Sequence, residues 1–282
     1  MMQLFTLSLI TMIAFAANSV LGRMGLAVAG MDPVLFGLIR LCAGAMVLAG
    51  LAVALRGGLV LGGARRVPGV VSLSVYLFGF SLAYSGLDAG VGALVLFGMV
   101  QVTMFAGAVL AREHLPFMRW LGAVVAFAGL AWMMWPGSGL SLPMAQTGLM
   151  ALAGVGWGVY SLAGRGAGDP LGTTAANFVL AVPIGVVLML GFGSFAAWTP
   201  YGVVLAILSG AVTSGMGYAL WYAILPKLGA SRAAVAQLTV PVFAIIGGAL
   251  MLAEIPSVTF MLATVVVLAG VVLSAFAKQK AH

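Results

Sequence analysis

Residues 84–129 read YSGLDAGVGALVLFGMVQVTMFAGAVLAREHLPFMRWLGAVVAFAG, and residues 225–270 read LPKLGASRAAVAQLTVPVFAIIGGALMLAEIPSVTFMLATVVVLAG. At a shift of 141 residues, half of the 282-residue chain, the two align without a gap. Asp88-Ala89 falls on Gly229-Ala230, Glu113 on Glu254 and Gly129 on Gly270, with apolar stretches matched in between. Each segment is a turn, an apolar run long enough to cross a bilayer, a short polar break and a second such run. A shift of 142 superposes Arg23 on Arg165 and Ser19 on Ser161, which extends the repeat to earlier segments. Two related halves, 1–141 and 142–282, are therefore expected.

Outward from this repeat the composition fixes the solvent. Hydrophobic residues make up 63% of the chain and charged ones 6%, too few charges to build a water-facing surface, so the medium is lipid. A bilayer core takes roughly 20 apolar residues per helical span. Gly, Pro and charge clusters divide the chain into spans near 2–21, 34–55, 68–87, 89–111, 117–135, 143–163, 173–192, 200–224, 230–252 and 257–277. These runs are too long and too uniformly apolar for barrel strands. The expected fold is an all-α integral membrane protein of ten transmembrane helices, in two five-helix repeats around a central cavity. The first run has no basic stretch before it and no clear cleavage signal after it, so it is expected to remain as a helix. Five spans per half is an odd number, so the second half enters the membrane inverted, the arrangement in which two halves rock about a central site.

With the N-terminus inside, Arg56, Arg65, Arg66, Arg112, Arg119, Arg165, Lys227, Arg232, Lys278 and Lys280 all fall on the cytoplasmic side and only Arg23 outside. Both termini are expected to be cytoplasmic. The net charge of +7 is thus explained by membrane orientation rather than by a nucleic-acid partner. One cysteine, Cys42, excludes an internal disulfide, a cysteine-rich metal site and an iron–sulfur cluster.

The stretch from Tyr84 to Gly90, then Ala111-Arg-Glu113, Trp120-Leu-Gly122 and Ala128-Gly129, resembles the repeat unit of the EamA-type transporters of the drug/metabolite transporter superfamily. So does its second copy, from Trp221 to Ala230 through Gln237-Leu-Thr-Val-Pro241 to Glu254 and Gly270. Gly156-Trp-Gly-Val-Tyr160-Ser161 is similar to the family's first-helix motif, and Leu38-Ile-Arg40 to its second-helix arginine. The resemblance implies ten helices, cytoplasmic termini in a bacterial inner membrane, a monomer, and a cavity lined mainly by helices 1, 3, 4, 6, 8 and 9. It also implies export of amino acids, purines or drugs, or movement of sugars and sugar phosphates. Trp157 and Tyr160 are similar to the sixth-helix pattern of YddG-like exporters of aromatic and other apolar amino acids, while Phe97-Gly98-Met99 departs from the aromatic and proline of that subgroup's fourth helix.

Polar and aromatic side chains at one-turn spacing mark the faces that meet a substrate or another helix. Tyr76, Phe80 and Tyr84 form one stripe, Tyr218, Trp221 and Tyr222 another, and Trp157 with Tyr160 a third. With Phe97 they are candidate substrate-binding residues for a flat or bulky apolar group, the alternative being helix packing or interfacial belts. Asn18, Gln101 and Gln237 are buried amides that suit a zwitterion or bond neighbouring helices. Arg40 lies about two turns inside its span; it snorkels outward, serves as a counter-charge to a carboxylate, or fixes its helix through backbone carbonyls. Pro183 and Pro241 fall inside spans, and Pro241 is a candidate hinge. Gly154, Gly156 and Gly158 suit close helix approach.

All five acids, Asp32, Asp88, Glu113, Asp169 and Glu254, fall at helix ends or in loops, and neither His114 nor His282 lies at depth. Weak or absent proton coupling is expected, and no metal or other cofactor; nothing resembles a phosphate-cradling loop. The partners expected are a small-molecule substrate and the bilayer. An exporter of apolar amino acids is the first reading and a multidrug or purine exporter the second. An intramembrane enzyme is the rival from another class, but it lacks a nucleophile and base both at depth. A passive scaffold has no use for an inverted repeat.

Overall fold

The structure is a computed structural model that describes residues 2–63, 66–135, 142–164, 167–228 and 236–276. Arg65, Arg165, Arg232, Lys278 and Lys280, used above for orientation, lie outside the described residues, as do Gly229 and Ala230 of the repeat. Every element in the described residues is helical: α1 (Met2–Val28), α2 (Pro33–Arg56), α3 (Arg66–Tyr84), α4 (Ala89–Leu110), α5 (Phe117–Met134), α6 (Met144–Ala163), α7 (Pro170–Phe192), α8 (Pro200–Leu228), α9 (Thr239–Leu252) and α10 (Val258–Phe276). Six of them, α1 to α4 with α7 and α8, are long and apolar enough to cross a membrane, and α5, α9 and α10 contain shorter apolar helices. In hydrocarbon a helix keeps its backbone hydrogen bonds within itself, which is why apolar runs of this length adopt no other form.

Local chemistry sets the ends. Asp32 caps α2, its carboxylate accepting from the N–H groups of Val34 (3.0 Å) and Leu35 (2.8 Å), with Pro33 at the first helical position where its missing N–H is harmless. Gly57, at φ 76°, closes the same helix in the left-handed conformation. Tyr84 ends α3 three residues short of the expected 87, because the N–H groups of Gly86 and Leu87 both turn back to the Ala83 carbonyl (3.1 Å each). Pro170 starts α7 three residues early. In α9 the helix restarts at Thr239 after a turn at Leu238, since Pro241 has no N–H to give the carbonyl four residues before it. Pro241 thus stands in a first turn rather than mid-helix, whereas Pro183 is inside α7.

Two spans contain π-helical turns. Met24–Val28 ends α1 in that form, and Ser209–Met216 interrupts α8. Wider turns of this kind displace side chains from the α register.

Packing follows close backbone approach. α3 lies along α6, α2 along α7 and α5 along α10, while α4 contacts α6 and α9, and α1 contacts α8 and α9. A Cβ on Gly154 would stand 2.7 Å from the Leu96 carbonyl of α4, and one on Gly156 2.8 Å from the Ser72 carbonyl of α3, so this face of α6 wedges between the two. Gly122 meets the backbone of Gly270 and Ser274, joining α5 to α10.

The chain's direction sorts its charges. Arg23, Asp32, Asp88 and Glu254 gather at one end of the bundle, where the Asp32 N–H also donates to the Ala197 carbonyl (2.8 Å). Arg56 pairs with Asp169 (3.4 Å) at the other, the end at which α3, α5 and α7 begin and α4, α6 and α8 finish.

Gly122→Val places methyls against backbone that cannot rotate aside. An overpacking penalty of about 1–3 kcal/mol is expected, read as a lowered thermal unfolding midpoint in detergent. Gly148→Val, where a Cβ meets nothing within 4 Å, should leave the midpoint nearly unchanged; equal behaviour of the two variants contradicts this α5–α10 contact.

Candidate functional site

Midway along the bundle, α1, α2, α3 and α8 meet through side-chain hydrogen bonds. The Asn18 carbonyl oxygen accepts from Ser209 Oγ (2.5 Å) and Thr213 Oγ1 (2.9 Å), and its amide nitrogen faces the Tyr76 hydroxyl at 3.5 Å. Tyr218 and Tyr76 meet hydroxyl to hydroxyl at 3.2 Å. Arg40 donates from Nη2 to the Tyr76 hydroxyl (2.9 Å) and from Nε and Nη2 to Ser214 Oγ (3.3 Å each). The π segment makes this arrangement possible: i→i+5 bonding brings Ser214 toward the face of Ser209 and Thr213, which an α-helix would turn away. Gly210 completes it. A side chain there would collide with the backbone carbonyl of Arg40 itself, so the glycine lets α8 press onto α2 where the cation sits.

Aromatic rings enclose the cluster. Trp157 stacks on Tyr218 (centroids 5.0 Å, planes 29° apart) and on Tyr160 (5.4 Å, 25°). Tyr76 leans on Trp157 (4.9 Å) and meets Phe80 edge-on (5.8 Å), and Phe15 stands edge-on to Tyr218 (5.6 Å). Inside this cage is a cavity of about 20 Å³ lined by Phe15, Asn18, Ser19, Tyr76, Phe80, Leu96, Phe97, Trp157, Thr213 and Tyr218, room for about one water. A larger cavity of about 260 Å³ opens toward the end that carries Arg66, lined by Arg66, Tyr160, Thr174, Asn177 and Tyr222 among others. Tyr160 donates to Thr174 Oγ1 (3.0 Å) on its wall.

The opposite end is tied together by ion pairs, beside a cavity of about 210 Å³ lined by Asp88, Val91, Glu254 and Phe260 among others. Arg23 bonds Glu254 (2.8 Å) and Asp88 (3.2 Å), joining the end of α1 to the α9–α10 and α3–α4 connections. Glu254 also accepts from the N–H of Ala89 (2.7 Å). Below this knot Tyr84, packed on Phe80 at 4.6 Å, donates to the Ala89 carbonyl (3.1 Å). Burial pushes the Glu254 carboxyl above its ordinary value, outweighing the bonds from Arg23 and Ala89 that favour its charged form.

Of the residues singled out from sequence, Asn18, Tyr76, Phe80, Phe97, Trp157 and Tyr218 share the central cavity, and Tyr160 and Tyr222 line the vestibule. Trp221 backs Phe15 edge-on (6.1 Å). Gln101 and Gln237 are half-buried and do not line the central cavity. Arg40 does not snorkel: it is 0% exposed, held inward by Tyr76 and Ser214 with its guanidinium 4.3 Å over the Phe80 ring. Sequence reasoning missed Phe15, Ser19, Leu96 and Thr213 in the centre and Arg66, Thr174 and Asn177 in the vestibule. Asn177 was within reach, being an amide inside an apolar run like Asn18; it is buried, with its carbonyl oxygen unpaired among the described residues. The meeting of Tyr76 with Tyr218 was also within reach, since they are separated by the same 142 residues that relate Ser19 to Ser161.

Residues 147–276 match the EamA-like transporter family. The chain is 42% identical to the uncharacterized protein PA1977 of Pseudomonas aeruginosa over 276 residues, covering 95% of this chain and 92% of that one. A solved crystal structure of another protein has the same fold, with a TM-score of 0.66 at 21% identity over 94% of this chain and 96% of that one.

The Glu254 carboxyl holds its proton more tightly in the folded protein than in the unfolded chain. The stability linked to it is complete below the unfolded pKa and is lost as pH rises through the higher folded one. The unfolding midpoint of the wild type, relative to Glu254→Gln, is therefore expected to fall as pH rises from the ordinary glutamate range through the values just above it. A difference that grows over that interval contradicts the assignment.

Proposed function

The chain belongs to the EamA-like transporter family, and from that premise we propose that it exports small metabolites across the bacterial inner membrane, aromatic or other apolar amino acids foremost, by alternating access without strong proton coupling. The observation that carries this reading is the aromatic column. Tyr218, Trp157 and Tyr160 stack in sequence from the closed centre toward the open vestibule, where Tyr222 stands. Rings at 5.0 and 5.4 Å spacing offer a flat apolar group successive equivalent contacts and bind it at each only weakly.

Ten spans in two inverted halves suit this chemistry, and the contact between Tyr76 and Tyr218 supports them. Two positions related by a two-fold axis touch only if the axis passes between them, so this contact supports a symmetry axis running through the central hydroxyls. Rocking of the halves 1–141 and 142–282 about that point opens either end in turn, with the break before Pro241 in α9 as a hinge. By the positive-inside rule the end carrying Arg56, Arg66, Arg112, Arg119 and Lys227 is cytoplasmic, and with it both termini. The vestibule then faces the cytoplasm, as loading for export requires. The five carboxylates stand at helix ends or in loops, away from the column, which supports flux down the substrate's own gradient.

Uptake by purified protein in liposomes tests the reading with labelled phenylalanine, threonine, a purine and a lipophilic cation, each with and without a proton gradient. Saturable amino-acid flux that ignores the gradient is expected, with Trp157→Ala lowering it about tenfold, equivalent to about 1.4 kcal/mol, and Trp157→Phe retaining most of it. Cation flux that follows the gradient, with no amino-acid flux, would overturn it.

A further inference from the structure

Arg40 carries a full charge at the centre of an apolar bundle, and no carboxylate among the described residues balances it. Each of the five acids is engaged elsewhere: Asp32 caps α2, Asp88 and Glu254 hold Arg23, Asp169 holds Arg56, and Glu113 stands 3.7 Å from Arg119. Among the described residues the guanidinium donates hydrogen bonds to neutral partners alone, and Nη1 has no partner. A buried cation left this way is costly unless an anion joins it in some stage of the protein's work.

The polar groups around it are arranged to pass that charge inward. Tyr76 receives Arg40 on one side and stands between Asn18 and Tyr218 on the others. Whichever tyrosine hydroxyl donates to the other, one phenolic proton is left over, and both side chains line the central cavity. The one amide oxygen lining that cavity, on Asn18, is already taken by Ser209 and Thr213. The cavity's polar wall therefore offers hydrogen-bond donors, backed by a positive charge one hydroxyl behind it, and few free acceptors.

We infer that the centre of the fold, once widened beyond the one-water volume it has here, is a carboxylate-recognition site, in which the phenolic proton left over from the Tyr76–Tyr218 pair and the Asn18 amide are donated to the anionic head of a small aromatic or apolar acid while Arg40 supplies the balancing charge through Tyr76. The inference rests on the transporter reading, because the acid reaches this point along the aromatic column. It narrows that reading: the carboxylate, and not an ammonium, is the group the centre selects. Charge-assisted hydrogen bonds of this kind are about twice as strong as neutral ones, and an ammonium brought to the same point meets the like charge of Arg40, so a probe without the carboxylate should not bind.

Three probes sharing one ring separate the groups: phenylalanine, 3-phenylpropionate without the amine, and phenethylamine without the carboxylate. Each is titrated against purified protein by thermal shift and offered to proteoliposomes for uptake. Both carboxylates are expected to raise the unfolding midpoint and phenethylamine to leave it unmoved. Arg40→Gln is expected to weaken carboxylate binding at least tenfold, Arg40→Lys less so, and Tyr76→Phe severalfold. Should Arg40→Gln not yield monodisperse protein, the other two variants carry the test. Equal binding of phenethylamine, no binding of either carboxylate, or carboxylate affinity unchanged in both Arg40→Lys and Tyr76→Phe overturns the inference. Uptake distinguishes the two readings. Arg40-dependent carboxylate binding without flux of any probe keeps the site and removes the amino-acid exporter, whereas phenylalanine flux indifferent to Arg40 and Tyr76 keeps the exporter and removes the site.

Discussion

A positive charge held in an apolar interior must be solvated by the protein that holds it. Around Arg40 that requirement sets the arrangement of three neighbouring helices. Ser214 reaches it only because α8 leaves the α register between Ser209 and Met216. That departure can press against α2 only because Gly210 has no side chain. Tyr76 is drawn to the same point from α3, and its hydroxyl brings Asn18 and Tyr218 into one connected set. Networks of this kind fix a unique arrangement where lipid-like packing alone would allow several.

The two ends of the molecule differ in how they are closed. At one, a three-way ionic knot joins α1 to two connections, and Tyr84 and Phe80 pack beneath it. At the other, a cavity of about 260 Å³ stands open, walled by hydroxyls of Tyr160, Thr173, Thr174 and Tyr222, the Asn177 amide and Arg66. Ionic closure suits an end exposed to water, since its partners are stable both joined and apart. The aromatic centre, in contrast, is held by ring contacts and hydroxyl bonds, with no ion pair among the described residues.

Helices were legible in the sequence because hydrocarbon forbids any other use of a long apolar run. Their facing was much less so. A soluble helix declares its buried side by contrast with a polar one, but here lipid and protein interior are both apolar and the pattern has almost no polar face to orient. Asn18, Gln101 and Gln237 therefore looked alike in sequence, although only the first lines the central cavity. Ser209, Thr213 and Ser214 were passed over since in α-helical register Ser214 turns away from the other two, and nothing in their residue types announces a π turn. Arg40 was conspicuous by its depth, but its partners come from segments 36 and 174 residues away, beyond what local spacing reports.

The π segment of α8 has a mechanical corollary. Over a given rise it carries more residues than an α-helix, so winding it by one residue into α form would turn everything beyond it by about 100°. Tyr218, Trp221 and Tyr222 lie directly beyond it on the α-helical stretch Gly217–Leu228. The register of that one helix therefore decides which way the aromatic wall of the cavity faces, and the Ser209, Thr213 and Ser214 hydroxyls, bonded to Asn18 and Arg40, hold it at the setting seen here.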